Sequence, residues 1–210
     1  LPAFGGIIEV MSGVQNLTQY PGSDKTERIR EIDIVNGVAG TAAVLTALSY
    51  RDATGEGQSV ALSQMETTTH ALLGETLLER ILTGTNSPPT GNRSSRYAPQ
   101  GCYPCRGEDR WLTISIRSDD DFKRLCRLLG RSDWIDDPRF SSFEDRLEHH
   151  DILDQGIEAW SGSQDPREAM EMLQKEGIAA GAVSSLQEVA SDPHLGERQW
   201  FFGSQEKPET

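Results

Sequence analysis

Apolar residues in the N-terminal part of the chain recur at helical spacing. In residues 1–17 they return every three or four positions, which is the spacing of one face of an α-helix. Residues 34–50 and 64–82 have the same spacing and predict two longer helices, the first rich in small residues that permit close packing against a neighbour. Between them, a Gly-containing turn at 52–57 precedes residues 58–63, whose alternation predicts a short strand.

The helical pattern stops after residue 83. Residues 84–100 are rich in Gly, Pro, Ser and Thr and show no periodicity, which is typical of a linker or a binding loop. We therefore predict a domain boundary in this segment, with residues 1–83 in one domain and residues 101–210 in another.

The C-terminal part of the chain mixes the two periodicities. Residues 111–116 alternate and predict a half-buried strand, and Ser118 or Asp119 can begin a helix that Gly130 ends. The further predicted elements, in chain order, are helices near 147–160 and 166–175, a strand at 177–183 and a short helix at 186–190.

Charge and composition exclude several classes of partner. The chain of 210 residues has a formal net charge of −13 and no basic run, so it should repel nucleic acids and anionic lipids. Its longest uncharged stretch, 34–50, is interrupted by polar residues and Gly, so no segment is expected to span a membrane. Without an initiator Met or a signal-like start, we expect a cytoplasmic protein and a chain that is part of something longer.

Neither the cysteines nor the acidic runs predict a metal. The three cysteines, Cys102, Cys105 and Cys126, are an odd set without a signal segment, which favours reduced thiols. The C-x-x-C spacing of the first two lacks the second ligand pair that zinc requires. The acidic triplet 119–121 falls where a helix begins, and acidic residues are favoured there by the helix dipole. We interpret all of these residues as structural.

A long ordered run resembles one enzyme family. Residues 33–40 read Asp-Ile-Val-Asn-Gly-Val-Ala-Gly, and Leu-Thr-Ala-Leu at 45–48, Arg51 and Thr-Gly-Glu-Gly-Gln at 54–58 follow. This run resembles family III (CaiB/BaiF-type) coenzyme A transferases. Flanking markers in family order extend the resemblance over essentially the whole chain; they include Met11-Ser12-Gly13, Gly91-Asn92-Arg93, Ala98-Pro99, Asp137-Pro138-Arg139-Phe140, Gly177-Ile178 and Asp192-Pro193-His194-Leu195.

The resemblance implies a fold, a reaction and an assembly. Members of the family are α/β proteins with a large Rossmann-like domain and a smaller α/β domain, and two chains interlock as a homodimer. They use acyl-CoA and a carboxylate acceptor as substrates and hold no permanently bound cofactor. By this resemblance, residues 1–83 belong to the large domain and residues 101–210 form most of the small domain.

The same resemblance implies that Asp33 is the catalytic nucleophile. In the family, this Asp attacks an acyl-CoA thioester to form a mixed anhydride, and the released thiolate then forms an aspartyl-CoA thioester. A carboxylate held close to its electrophile is competent for such covalent catalysis. From the local sequence alone, an Asp at a helix start more often serves as an N-cap.

Six residues are candidates for contacts with coenzyme A. Asn36 and Gly37 follow the nucleophile within one helical turn, and Gly37 would leave the backbone bare near it. Asn92, Arg93, Arg96 and Tyr97 lie in the predicted linker. There an Arg could pair with a phosphate and the Tyr ring could stack on adenine. The alternative for the linker residues is an ordinary solvated loop.

Two other functions stay open at the level of sequence. An α-methylacyl-CoA racemase of the same superfamily would use the residue at position 33 for proton transfer. A non-catalytic reading makes the chain a scaffold, or one half of an assembly whose active site is completed elsewhere. Two features of the family that bear on this choice, an N-terminal portion of the coenzyme A pocket and a Gly-rich loop, have no counterpart in the chain.

Overall fold

The structure, a computed structural model, describes residues 4–23, 28–85 and 88–201. The chain divides into two compact units, residues 1–91 and residues 92–210. In the first unit the described elements are the helices α1 (Gly5–Ser12), α2 (Val14–Leu17), α3 (Ile32–Thr54) and α4 (Gln64–Thr83). In the second they are β1 (Gln100–Pro104), β2 (Trp111–Ser115), α5 (Asp119–Leu128), two 3-10 helices (Ser132–Trp134 and Pro138–Phe140), α6 (Phe143–Glu148), α7 (His150–Ser161), α8 (Pro166–Lys175), β3 (Ala179–Ala182), α9 (Leu186–Ala190) and α10 (Pro193–Glu197).

Local caps determine where the helices of the first unit begin and end. Gly13 has a φ of 84° and separates α1 from α2, a conformation that side-chain-bearing residues adopt only at a cost. The α3 helix ends at Gly55, whose N–H bonds the Arg51 carbonyl. The side chain of Ser63 accepts a hydrogen bond from the Glu66 N–H and caps α4. The predicted turn at 52–57 is therefore wrong in its first half, because residues 52–54 continue α3.

Few of the described apolar side chains of the first unit are buried. Among residues 4–23, 28–85 and 88–91, the buried apolar residues are Ile8, Val14, Ile32 and Leu73. Many apolar side chains on α3 and α4 face outward instead, and these exposed residues are Ile34, Val38, Val44, Leu45, Leu48, Leu72, Leu77, Leu78, Ile81 and Leu82. Residues 58–63 form no strand, because no other described segment pairs with them, so the strand predicted there is wrong.

The α3 helix is long and apolar enough to cross a membrane, judged by length and composition alone. It has 23 residues, and 11% of its most apolar 18-residue window is buried within the structure. A core helix of a larger soluble protein passes the same test, so this property is weak support for a membrane span. The expectation that no segment spans a membrane stays a prediction.

The second unit is built around a three-stranded antiparallel sheet in the order β1-β2-β3. The α7 helix packs against β1, and α8 packs against β2 and β3. One contiguous core joins these layers; its largest fully buried side chains include Tyr103, Leu112, Ile114, Leu125, Trp134, Phe140, Leu153, Ile157, Leu173 and Ile178. The strands predicted at 111–116 and 177–183 and the helices at 166–175 and 186–190 are confirmed, whereas β1 was not predicted.

Candidate active site

Asp33 is the second residue of α3, and its side chain is exposed. The N-cap position belongs to Glu31, which makes no side-chain cap bond, so the expectation that a capping role could explain Asp33 is wrong. The carboxylate still lies in the first helical turn, where free backbone N–H groups and the helix dipole stabilise an anion by about 0.3–1 kcal/mol. The position therefore suits an ionised Asp whose carboxylate is not used as the N-cap of the helix.

The first residues of two other helices meet at this carboxylate. Gly5 begins α1, and a Cβ placed on it would come within 3.1 Å of Asp33 Oδ2. Gln64 begins α4, and its Nε2 donates a long hydrogen bond of 3.5 Å to Asp33 Oδ1. Three helix N-termini, each carrying a partial positive charge, thus lie around a single carboxylate. Sequence analysis identified neither Gly5 nor Gln64 as part of the site.

A buried carboxylate fixes the turn that leads into α3. Glu9 on α1 is 0% exposed, and its Oε1 accepts the backbone N–H of Arg30 at 3.0 Å. Its Oε2 accepts hydrogen bonds from Gln15 at 3.3 Å and from Arg28 at 3.4 Å. Arg30 has a φ of 63°, which is uncommon for a residue with a side chain. Glu9 therefore holds an unusual turn three residues before Asp33.

The ionisation of Glu9 follows from these contacts. Burial opposes the charged form, but hydrogen bonds from Gln15, the Arg30 N–H and Arg28 outweigh it and hold the pKa of Glu9 below its usual value. The only sequence signal of this residue is an acidic side chain between apolar residues of the helix predicted at 1–17.

Asn36 lies on α3 three residues after Asp33 and connects this helix to α4. It is buried, and its Nδ2 donates to the Ile32 carbonyl at 2.8 Å and to Thr68 Oγ1 at 3.0 Å. Its Oδ1 has no hydrogen-bond partner among the described residues. Gly37 is exposed, and no described atom lies within 4 Å of a Cβ placed on it. Contacts of both residues with coenzyme A stay predictions, although the amide nitrogen of Asn36 is already engaged.

The linker candidates Asn92, Arg93, Arg96 and Tyr97 all lie in the second unit. Arg93 forms an ion pair with Asp154 at 2.6 Å and a second one with Asp151, both on α7. Burial opposes its charge, but bonds to Asp151 and Asp154 raise the pKa of its guanidinium. Arg93 therefore anchors the linker to α7, and a role in binding phosphate would have to compete with two carboxylates.

Asn92 and Arg96 are held by contacts with nearby residues of the chain. The Arg96 N–H donates to Ser94 Oγ at 3.0 Å, and the Asn92 carbonyl accepts from the side chain of Gln100 at 3.4 Å. Tyr97 is 36% exposed. Binding of coenzyme A by Asn92, Arg96 and Tyr97 stays a prediction.

A buried polar network in the second unit escaped sequence analysis. His150, at the start of α7, is 1% exposed and belongs to this network. Its Nε2 accepts the Gln100 N–H at 3.1 Å, and its Nδ1 lies 3.1 Å from Asp154 Oδ1. The hydroxyl of Tyr103 donates to the same oxygen at 2.8 Å. Burial opposes the charge of Asp154, but bonds from His150, Tyr103 and Arg93 keep its pKa below the usual value.

The cysteines and acidic residues show no metal-binding arrangement within the described ranges. The three cysteines are free, and burial raises the pKa of each thiol. The described residues contain no group of three or more His, Cys, Asp or Glu side chains that could hold an ion. Asp119 instead pairs with Arg146 at 2.7 Å, and Asp121 pairs with Arg124.

Comparison with known proteins assigns the family. The model of the family described as "CoA-transferase family III" matches residues 1–209, so the chain belongs to CoA-transferase family III. A succinyl-CoA–D-citramalate CoA-transferase of Chloroflexus aurantiacus is 34% identical over 203 residues, covering 95% of this chain and 50% of the relative. A probable CoA-transferase of Mycobacterium tuberculosis is 32% identical over 169 residues, covering 80% of this chain and 21% of the relative.

Solved structures share the fold. A CaiB/BaiF family protein from Brucella suis matches with a TM-score of 0.80 at 23% identity, covering 93% of this chain and 51% of that one. Rv3272 from M. tuberculosis matches with a TM-score of 0.77 at 21% identity, covering 95% and 51%. The α/β fold class expected from the resemblance is confirmed. The chain spans about half the length of the first two solved structures and of the Chloroflexus relative.

Proposed function

We propose that this protein transfers coenzyme A between carboxylic acids, with Asp33 as the covalent nucleophile. The observation that carries the proposal is the placement of Asp33. It belongs to the family-like run 33–40, and its exposed carboxylate lies at the first turn of α3 beside the starts of α1 and α4. The names of the relatives, which are CoA-transferases for several different acids, support the reaction class.

The proposed reaction runs through three covalent intermediates, which are two mixed anhydrides and the thioester between them. One oxygen of Asp33 attacks the thioester carbonyl of acyl-CoA, the carbon–sulfur bond breaks and the electron pair leaves with the thiolate. The thiolate then attacks Cγ of the resulting mixed anhydride and expels the first carboxylate, which leaves an aspartyl-CoA thioester. An acceptor carboxylate reverses these steps and departs as the new acyl-CoA, which regenerates Asp33. Each step exchanges one acyl bond for another and needs no redox partner.

The surroundings of Asp33 suit this role. A carboxylate must be ionised to attack, and helix N-termini favour the anion without neutralising it as a Lys or Arg would. The side chain is exposed within the first unit, so a substrate can approach it from the open side. Glu9 and Asn36 fix the backbone on either side of Asp33, which keeps the nucleophile in a defined position.

The proposal includes substrates, assembly and location. Acyl-CoA and a carboxylate acceptor are the substrates, no cofactor is bound permanently, and Asn36 and Gly37 contribute to the coenzyme A site. An interlocked homodimer is supported by the apolar side chains that α3 and α4 expose. A cytoplasmic location is supported by three free cysteines.

The test is the Asp33→Asn substitution in the intact enzyme. We expect transfer to fall about 10³-fold or more, since about 4 kcal/mol of transition-state stabilisation depends on the nucleophile. Hydroxylamine should modify the wild-type carboxyl at Asp33 only after acyl-CoA is added, as located by mass spectrometry. Asp120→Asn is the matched control, because Asp120 is likewise an exposed second residue of a helix.

Two outcomes would contradict the proposal. Near wild-type transfer by the Asp33→Asn enzyme would exclude Asp33 as the nucleophile. The second outcome has two parts: the wild-type enzyme racemises an α-methylacyl-CoA and gives no trappable adduct, and the Asp33→Asn enzyme loses this racemisation. Asp33 would then act in proton transfer and not as a covalent nucleophile.

A further inference from the structure

Gln64 is a polar residue beside Asp33 to which the reaction described above gives no role. It is the first residue of α4, directly after the capping Ser63, and its side chain is only partly exposed. Its Nε2 donates to Asp33 Oδ1 at 3.5 Å. Since hydrogen bonds at catalytic groups are often long before substrate binds and tighten afterwards, this distance is compatible with a working contact.

The two oxygens of Asp33 face different surroundings. Oδ1 faces the Gln64 amide, whereas Oδ2 faces the backbone of Gly5. A Cβ at position 5 would lie 3.1 Å from Oδ2, closer than most such contacts, so any larger residue would push the carboxylate away. Gly5 therefore leaves Oδ2 room, and Gln64 supplies a donor to Oδ1.

We propose that Gln64 is the oxyanion donor for the aspartyl intermediates, and that Gly5 leaves the space in which the carboxylate takes this orientation. The inference rests on the proposed function of Asp33. With Oδ2 as the attacking atom, Oδ1 becomes the carbonyl oxygen of the mixed anhydride. Attack of the thiolate on Cγ places a negative charge on Oδ1, next to Gln64 Nε2. Collapse of this intermediate expels Oδ2 with the first carboxylate and leaves Oδ1 as the thioester carbonyl.

A neutral amide has the chemistry that this position requires. Donors that face the atom where charge develops stabilise the transition state more than the ground state. Gln64 can donate to the ionised Asp33, to the thioester carbonyl and to the oxyanion between them without forming a salt bridge with the free carboxylate. An Arg or Lys would pair with the resting Asp33 and lower its nucleophilicity.

The test compares Gln64→Met and Gln64→Glu in the intact enzyme. Met keeps the length of the side chain without a donor, and Glu also adds a negative charge beside Asp33. We expect kcat to fall about ten- to hundredfold for Gln64→Met and further for Gln64→Glu, while KM for acyl-CoA changes less than about twofold. In rapid-quench mass spectrometry, formation of the aspartyl-CoA thioester should slow by the same factor as kcat. Gly5→Ala should slow it as well.

Controls separate this role from a structural one. Gln187→Met replaces an exposed Gln near the start of α9 and should leave kcat unchanged. A Gln64 that only supported the fold would lower the melting temperature and leave the rate of thioester formation intact in the folded fraction, which would overturn the proposal. Unchanged kcat in both Gln64 variants would also overturn it. Loss of activity in Asp33→Asn with full activity in the Gln64 variants would reject this inference and keep the proposed function.

Discussion

At the scale of single residues, Asp33 is surrounded by groups that lie far from it along the chain. Asp33 itself belongs to a continuous run of family-like residues, and that resemblance, rather than its position at a helix start, made it the nucleophile candidate. Gly5 and Gln64 lie beside it from 28 and 31 positions away along the chain, because α1 and α4 both begin beside α3. Glu9 supports the preceding turn instead, through the N–H of Arg30, 21 positions further along the chain. No periodicity reports such contacts, since they depend on how helices pack together.

Glu9→Gln should destabilise the first unit. The side chains of Gln15 and Arg28 and the N–H of Arg30 all donate to the Glu9 carboxylate, and the amide nitrogen of a Gln could not accept from them. A buried donor left without an acceptor costs about 1–3 kcal/mol. Urea unfolding of the intact protein at pH 7 should show this loss. The control is Glu31→Gln, because Glu31 is exposed and makes no side-chain cap bond, so it should change stability by less than about 0.5 kcal/mol.

The pH dependence of the same substitution checks the cause. The folded-state pKa of Glu9 lies below its usual value, so its contribution to stability is present above the unfolded pKa of about 4.3. That contribution is lost as the pH falls through the folded pKa. The difference between wild type and Glu9→Gln should therefore shrink below about pH 4. A difference that is constant from pH 7 to pH 3 would show that the charge of Glu9 is not responsible.

At the scale of elements, locally determined helices were predicted and pairing-dependent strands were predicted less well. The caps of α4 and α5 are side-chain bonds of Ser63 and Ser118 to residues three positions on, which sequence can show. The prediction of a strand at 58–63 was wrong. Alternation of apolar and polar residues indicates a half-buried segment, but a strand also needs a neighbouring strand to pair with, and no described segment pairs with this one. In contrast, β1 lies at the end of a Gly- and Pro-rich segment and is a strand because β2 pairs with it along its whole length.

The contact between α3 and α4 gives a prediction at this scale. Thr68→Val keeps the shape of the side chain but removes the hydroxyl that accepts a hydrogen bond from Asn36 Nδ2. Thr68 is 0% exposed, so water cannot replace this acceptor. We expect a loss of about 1–3 kcal/mol in the free energy of unfolding, together with a lower kcat, because the first turn of α3 carries Asp33.

The matched control lies at the next position of the same helix. Among the described residues, the Thr69 hydroxyl bonds only the Met65 carbonyl one turn back, so Thr69→Val should have a much smaller effect. Chemical denaturation and steady-state kinetics would measure both variants. Equal losses in the two variants would show that the Asn36–Thr68 bond does not hold the helices together.

At the scale of the whole molecule, the two units differ in how far each supplies its own core. The second unit buries a contiguous cluster that runs from Tyr103 to Ile178 and closes around one sheet. Within the part of the first unit that the structure describes, few apolar side chains are buried, and the apolar helix α3 is largely uncovered. A soluble monomer rarely exposes a contiguous apolar patch of more than a few hundred Å². The uncovered helix surfaces therefore require a partner, another part of the protein or a membrane.

The last prediction follows from this difference. Residues 92–210 produced alone should fold cooperatively and remain monomeric, because their core is complete within the described residues of that unit. Residues 1–210 produced alone should self-associate through α3 and α4 and should show no coenzyme A transfer. Light scattering coupled to size exclusion would give the mass of each polypeptide, and thermal melts followed by circular dichroism would test cooperativity.

Replacing Val38, Leu45 and Leu78, which are 66%, 61% and 56% exposed, by Ser should reduce the association of residues 1–210 without lowering their helix content. A monomeric wild-type 1–210 would show that its apolar helix surfaces need no cover, and an unfolded 92–210 would show that its core depends on the first unit.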